Sequence, residues 1–323
     1  MKKTRVCDIL GIEYPVIQGG MTWIANAELA AAVSEAGGLG VISPNAGMRL
    51  EDDMVQNLRG QIRRARGLTD KPLGVNLVVF IPGIEELIEV VIEEGIEVVV
   101  TSAGDPARHT GRMKQAGIAV LHLVSSVRQA RHAEEAGVDA VVAEGFEAGG
   151  HNGFDELPTM VLVPQVADAV EVPVIAAGGI ADGRGLAAAF ALGAEGVQLG
   201  TRFVATRECI APQNVKDAIV AAGDTGTMVT ARNLSPTRGL KNGFSAQVAE
   251  MDKHGATADE LLAFIGVGRA RMALLEGRVE EGEAYAGAAA GMIRDVAGAG
   301  DVVKQLVECY DRIVARLKEG VSN

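Results

Sequence analysis

"VPVIAAGGIADGRGLAAAFALGAEGVQLGTRF", residues 172–203, holds an apolar run, a helical stretch and a second apolar run in direct succession. "VPVIAAGG" (172–179) is apolar without alternation, as a strand buried on both faces must be. "DGRGLAAAFALGA" has helical spacing and closes near Gly193, a common helix stop. "GVQLGTRF" (196–203) reads as the next strand. A strand, a helix and a strand of this kind form a parallel crossover unit.

The same unit recurs upstream. Short β-branched runs occur at "PVIQGG" (15–20), "LGVIS" (39–43), "LGVNLVV" (73–79) and "VVVTSAG" (98–104). "AVLHLV" (119–124) and "AVVAEG" (140–145) bring the total to eight. Helical segments such as "NAELAAAVSEAGG" and "SVRQARHAEEAG" separate them. Eight evenly spaced strand–helix units predict an α/β fold, a closed (β/α)8 TIM barrel, over residues 1–206. From 207 to 280 the pattern predicts a helical insertion after strand eight, without further strand, placed as a lid. Residues 281–323 are expected to pack back on the barrel as C-terminal helices.

Composition is consistent with this. The chain has 323 residues, 48% hydrophobic and only 3% aromatic, with 41 glycines, so many tight turns surround an aliphatic interior. Its net charge of −12 argues against nucleic acid or an anionic membrane as partner. Cys7, Cys209 and Cys309 are far apart and read as structural thiols of a reducing compartment. With no secretion-like leader and no membrane-length apolar run, the expected location is cytoplasmic. No histidine spacing predicts a metal site.

Barrel chemistry sits where the strands end. The first run ends in Gly19, Gly20 and Met21, and the third contains Asn76. The sixth delivers Glu144 and then "AEGFEAGGHNG" (143–153), where Gly149 and Gly150 open a loop that presents His151. The seventh ends at Ala177, Gly178 and Gly179, and the eighth carries Gln198, Gly200 and Thr201. Glycines at the last two strand ends let backbone N–H groups reach phosphate oxygens. Few clustered cations and no GxxxxGK[ST] loop favour a monophosphate of a flat ring, such as FMN. The amides Gln18, Asn76 and Gln198 can hydrogen-bond such a ring. His151 at the mouth can act as general base or proton donor. His109, His132 and His254 fall on helical or exposed segments, and His122 is expected to be a satisfied barrel residue. Tyr285 and the "AYAGAAAGM" stretch can line the entrance of a substrate tunnel, with core packing the favoured role. Arg232, Arg238 and Lys241 read either as a local basic patch or as scattered solvated charge, the second being the usual case.

"YPVIQGGM", "AGGLGVI", "GVNL", "AEGFEAGGHNG", "VPVIAAGGIADG" and "GAEGVQLGTRF", in this order, resemble the nitronate monooxygenase family. That family includes nitronate monooxygenases, FMN-dependent enoyl-(acyl carrier protein) reductases and an NADH:quinone reductase branch. The resemblance implies an FMN barrel with His151 as the catalytic residue near flavin N5. It implies Gly19, Gly20 and Met21 against the isoalloxazine, Asn76 on its polar edge, and the phosphate on Gly178, Gly179, Gly200 and Thr201.

"QGGM" after strand one matches the reductase branches, whereas many nitronate monooxygenases carry "QAPM". "VVFIPGIEE" lacks the proline-rich pattern with which the quinone branch grips NADH. The resemblance therefore implies an oxidoreductase using NADH or NADPH as co-substrate to reduce an enoyl thioester or quinone. Nitronate oxidation with O2 is the competing activity. A small-molecule substrate is the expected partner, and a homodimer is compatible with the sequence.

Overall fold

The computed structural model describes residue 1 and residues 3–320, so residue 2 of the expected barrel segment and residues 321–323 of the C-terminal segment lie outside the described residues. Among the described residues there are eleven strands: β1 (Val16–Gln18), β2 (Leu39–Ile42), β3 (Leu73–Val78), β4 (Val98–Ser102), β5 (Ala119–Val124), β6 (Ala140–Glu144), β7 (Gly150–His151), β8 (Val174–Ala177), β9 (Gly196–Leu199), β10 (Thr227–Thr230) and β11 (Thr237–Leu240). Eight close a parallel barrel in the order β1-β2-β3-β4-β5-β6-β8-β9, sealed by Ile17 opposite Gln198. All eight apolar runs supply a barrel strand. "GTRF" departs from its run, because Thr201–Val204 turns into helix immediately after β9.

The unbroken apolar runs are explained by two cores. Ile17, Val41, Val100, Leu121, Val142 and Ile175 point inward and fill the barrel. Their neighbours Val75, Val99, Val120, Val141 and Val197 point outward under the helices. Cutting one fully buried leucine here to alanine costs about 2–5 kcal/mol.

One end of the barrel is closed. The helix Arg5–Leu10 drives Val6, Cys7 and Leu10 into the inner core. Thr4 Oγ1 donates to the carbonyl of Glu195 at 2.7 Å, which pins this plug beside the start of β9. The strands' carboxyl ends are left free for ligands.

The segment 207–280 contains more than helix. β10 and β11 form an antiparallel hairpin within it, and β11 also pairs with β7. The expectation of no further strand fails because these strands are only half buried. Thr227, Val229, Thr230 and Thr237 carry the β preference, while Arg238 and Gly239 interrupt any apolar run. The C-terminal helix Ala299–Gly320 packs on the helices Ala27–Glu35 and Gly183–Ala191.

Candidate active site

A cavity of about 1310 Å³ opens at the carboxyl ends of the strands. Every site residue expected from sequence, with the exception of Gln18, lines it. Gly19, Gly20 and Met21 follow β1, Asn76 lies on β3, and Glu144 ends β6. Gly149, Gly150 and His151 approach from one side. Ala177, Gly178 and Gly179 end β8, with Gln198, Gly200 and Thr201 beside them on β9 and its turn. Gln18 does not join them. It is fully buried and tied to Val41, its Oε1 accepting from the Val41 amide and its Nε2 donating to the Val41 carbonyl, each at 3.1 Å.

The other two amides keep free acceptors. Asn76 Nδ2 donates to the Val100 carbonyl at 2.9 Å, while its Oδ1 lies beside Gly20. Gln198 is only 7% exposed, and its Oε1 is buried without a partner. An orphaned acceptor at the cavity wall costs about 1–3 kcal/mol unless a ligand donor meets it. A flavin ring, with an N–H between two carbonyls, supplies such a donor. The residues fit that group.

Gly178 and Gly179 have φ of 92° and 71°, a pair of left-handed positions that turns backbone amides toward the cavity. The amides of Gly178, Gly179, Gly200 and Thr201 meet no acceptor among the described residues. Thr201 Oγ1 accepts from Gly287 N at 2.9 Å, so its own proton remains available to donate. This corner can hold a phosphate. Glu147 lines the cavity nearby, but its carboxylate accepts from the N–H and hydroxyl of Thr159, each at 2.9 Å, and caps the helix Thr159–Ala167.

His151 is held differently from the expected open loop. It lies in β7, opposite Thr237 of β11, and the next amide, Asn152 N, donates to the Pro236 carbonyl at 2.8 Å. Gly149 passes so close to Gly287 that a Cβ would lie 2.6 Å from its amide nitrogen. The imidazole meets Tyr285 edge-on, with ring centroids 5.6 Å apart and planes at 70°. The ring is exposed to the open cavity, but the protein packed around the site lowers its pKa, so the neutral imidazole prevails at pH 7.

Several assignments change. Tyr285 lines the cavity, the role the sequence had left open beside core packing, and its hydroxyl donates to Glu283 Oε2 at 3.0 Å. Burial raises the Glu283 carboxyl despite that hydrogen bond. His122 also reaches the cavity. Arg232 and Arg238 are not scattered surface charge, since both guanidiniums stand over the Phe146 ring, at 5.7 and 5.4 Å. Neighbouring sequence could not reveal the two arginine–Phe146 contacts, because each joins distant segments. Glu144 has no charged partner, and desolvation raises its pKa to about 7. Among the described residues, no His/Cys/Asp/Glu cluster could hold a metal, and no helix is long and apolar enough to cross a membrane.

Comparison with known proteins points one way. A family model described as nitronate monooxygenase matches residues 3–84 and 80–309. The structure of FabK from Thermotoga maritima superposes with a TM-score of 0.91 at 42% identity, covering 99% of each chain. A (3aS,4S,5R,7aS)-5-hydroxy-7a-methyl-1-oxo-octahydro-1H-indene-4-carboxyl-CoA dehydrogenase of Mycobacterium tuberculosis is 40% identical across 71% of this chain and 63% of its own length. A probable nitronate monooxygenase of Staphylococcus saprophyticus is 39% identical across 77% of this chain and 81% of that protein. The matches span less than two thirds of the length of the first two curated relatives, 63% and 62%.

Proposed function

Because the chain belongs to the nitronate monooxygenase family, whose members are flavin-dependent oxidoreductases, we propose that it is an FMN enzyme reducing enoyl thioesters with NADH or NADPH. The observation that carries this reading is the size of the cavity, about 1310 Å³. Pockets for single small ligands run to roughly 300–1,000 Å³, so this one has room for a flavin and a long second ligand together. An alkyl nitronate needs far less. The full-length likeness to FabK supports the reductase side, and the carboxyl-CoA named for the Mycobacterium tuberculosis relative supports a coenzyme A thioester.

When bound, FMN supplies a ring nitrogen that takes hydride from the nicotinamide and returns it to the substrate. In this reading the amides of Gly178, Gly179, Gly200 and Thr201 and the Thr201 hydroxyl hold the phosphate. Gln198 Oε1 and Asn76 Oδ1 accept from the ring edge, with Gly19, Gly20 and Met21 beneath it. Ala177, Gly149 and Gly150 close the walls, and Glu144 accepts from hydroxyl donors of the sugar-like chain. The neutral His151 would donate one ring N–H as a hydrogen bond to the thioester carbonyl oxygen. That bond stabilises the enolate that forms on hydride addition at the β carbon and that solvent then protonates at the α carbon. Tyr285 limits the tilt of that imidazole.

The test is anaerobic mixing of the yellow protein with NADH, NADPH or propyl nitronate. Bleaching by a nicotinamide, followed by recovery of colour with crotonyl-CoA, supports the reductase. Bleaching by the nitronate alone supports the second reading, nitronate monooxygenase. That alternative is favoured by the 39% identity to the Staphylococcus saprophyticus protein.

A further inference from the structure

The cavity does not end at the barrel mouth. It extends past the ends of β4 and β5, along Ser102, Gly104 and Ser125, to Arg128 and His132. The same two residues also line a second cleft of about 510 Å³, with Arg131 and Glu135. All four belong to one face of the helix that begins at Val127, or flank its end at Glu135.

The chemistry along this branch changes in order. His122 comes first and is only 4% exposed. Thr101 Oγ1 donates to the Leu121 carbonyl at 2.9 Å and lies 2.8 Å from His122 Nδ1, so Nδ1 carries the proton that joins them. Its Nε2 is left as a bare acceptor on the cavity side, and desolvation keeps the ring neutral, with a pKa lowered to about 4.

Arg128 and Arg131 come next. Neither has a carboxylate or carbonyl partner among the described residues. Elsewhere guanidiniums are commonly paired, as Arg59 and Arg63 are with Glu93 and Glu94. Of the nearby acids, Asp105 is engaged by His132 Nε2 at 2.8 Å, while Glu135 lines the cleft and Asp155 the cavity, neither of them paired to Arg128 or Arg131 among the described residues. On a chain of net charge −12, two unpaired arginines lining a cleft joined to the active cavity mark a place for an anion.

We propose that this branch seats the carrier arm of a coenzyme A thioester, with an amide N–H of the arm on His122 Nε2 and the nucleotide phosphates on Arg128 and Arg131. The inference rests on the thioester reading above. A neutral acceptor near the reacting end and cations farther out match that molecule, whose uncharged amide arm ends in a pyrophosphate and a 3′-phosphate.

The experiment uses the FMN-loaded protein and two small probes, 3′,5′-ADP for coenzyme A and 2′,5′-ADP for NADPH, with binding measured by calorimetry. The variant is Arg128→Gln/Arg131→Gln, and Arg312→Gln/Arg316→Gln on the C-terminal helix controls for charge. We expect 3′,5′-ADP to bind the parent and the control alike, and to weaken roughly tenfold or more in the variant. KM for crotonyl-CoA should rise with kcat kept, while crotonyl-N-acetylcysteamine, which lacks phosphates, is unaffected. Equal 3′,5′-ADP affinity in parent and variant, or no binding at all, overturns the proposal. So does a loss confined to 2′,5′-ADP with a raised KM for NADPH. Loss of 3′,5′-ADP in a protein that reduces no thioester supports the seat and overturns the reductase reading instead.

Discussion

Thr237 of the hairpin pairs with His151, so a segment far along the chain sets the backbone of the imidazole at the barrel mouth. In the proposed enzyme the strand ends would hold the flavin, and the hairpin sets the backbone from which His151 projects. Replacing His151 with Ala should lower kcat by roughly 10²–10⁴-fold while FMN stays bound, because the phosphate corner is untouched. Rapid-reaction traces and the flavin absorbance report the two quantities separately. Unchanged turnover would falsify the role given to this side chain.

The pH dependence has a definite sign. His151 is lowered from 6.5 by burial, so its neutral form persists into mild acid. kcat/KM of the parent should hold steady through pH 7 and decline only below the ordinary imidazole range. A decline centred above 6.5 would contradict a lowered imidazole pKa.

Glu144 has the opposite sign. Its folded-state pKa is raised from 4.5 to about 7, so an unfolded chain gives up this proton at lower pH than the folded one does. Folding of the flavin-free protein is therefore penalised progressively as pH rises from 4.5, with the full cost above about 7. Glu144→Gln should raise Tm of flavin-free protein more at pH 8 than at pH 5. Equal shifts at both values would show that the carboxyl is not desolvated.

Gly178 tests the phosphate corner. A Cβ there would meet the Gly145 carbonyl at 2.7 Å, at a φ of 92°. Strain of this kind costs about 1–3 kcal/mol, so Gly178→Ala should weaken FMN binding by an order of magnitude or more. Titration of the apoprotein, followed by flavin fluorescence quenching, measures it. Parent-like affinity would move the phosphate elsewhere.

Gly149 tests the clamp on His151. An alanine Cβ would strike Gly287 N at 2.6 Å and Ala286 C at 2.7 Å, both backbone atoms that yield little. Gly149→Ala should cost about 1–3 kcal/mol of stability and reduce kcat more than it reduces FMN affinity. Denaturant melts and steady-state assays on the same preparation separate these effects.

Much of the barrel was legible in the residues. "AVVAEG" and "VPVIAAGG" could only be strands covered on both sides, and their positions located Glu144, Gly178 and Gly179. β10 and β11 were not legible, because a half-exposed hairpin carries threonine, arginine and glycine where a buried strand carries valine. Tyr285, flanked by alanines, was open to packing or cavity lining until the fold set it against His151. His122 read as an ordinary barrel residue, since nothing adjacent in sequence announces the branch it opens onto.

The order of apolar runs and the placement of glycines determined the closed parallel barrel and the turns at its mouth, because burial period and backbone sterics act over a few residues. Tertiary structure alone decided what surrounds His151, what Gln18 is spent on and where the arginines of the helix Val127–Glu135 face. Those contacts join segments whose nearness comes only from ring closure and from the hairpin crossing it, and no local pattern carries that distance.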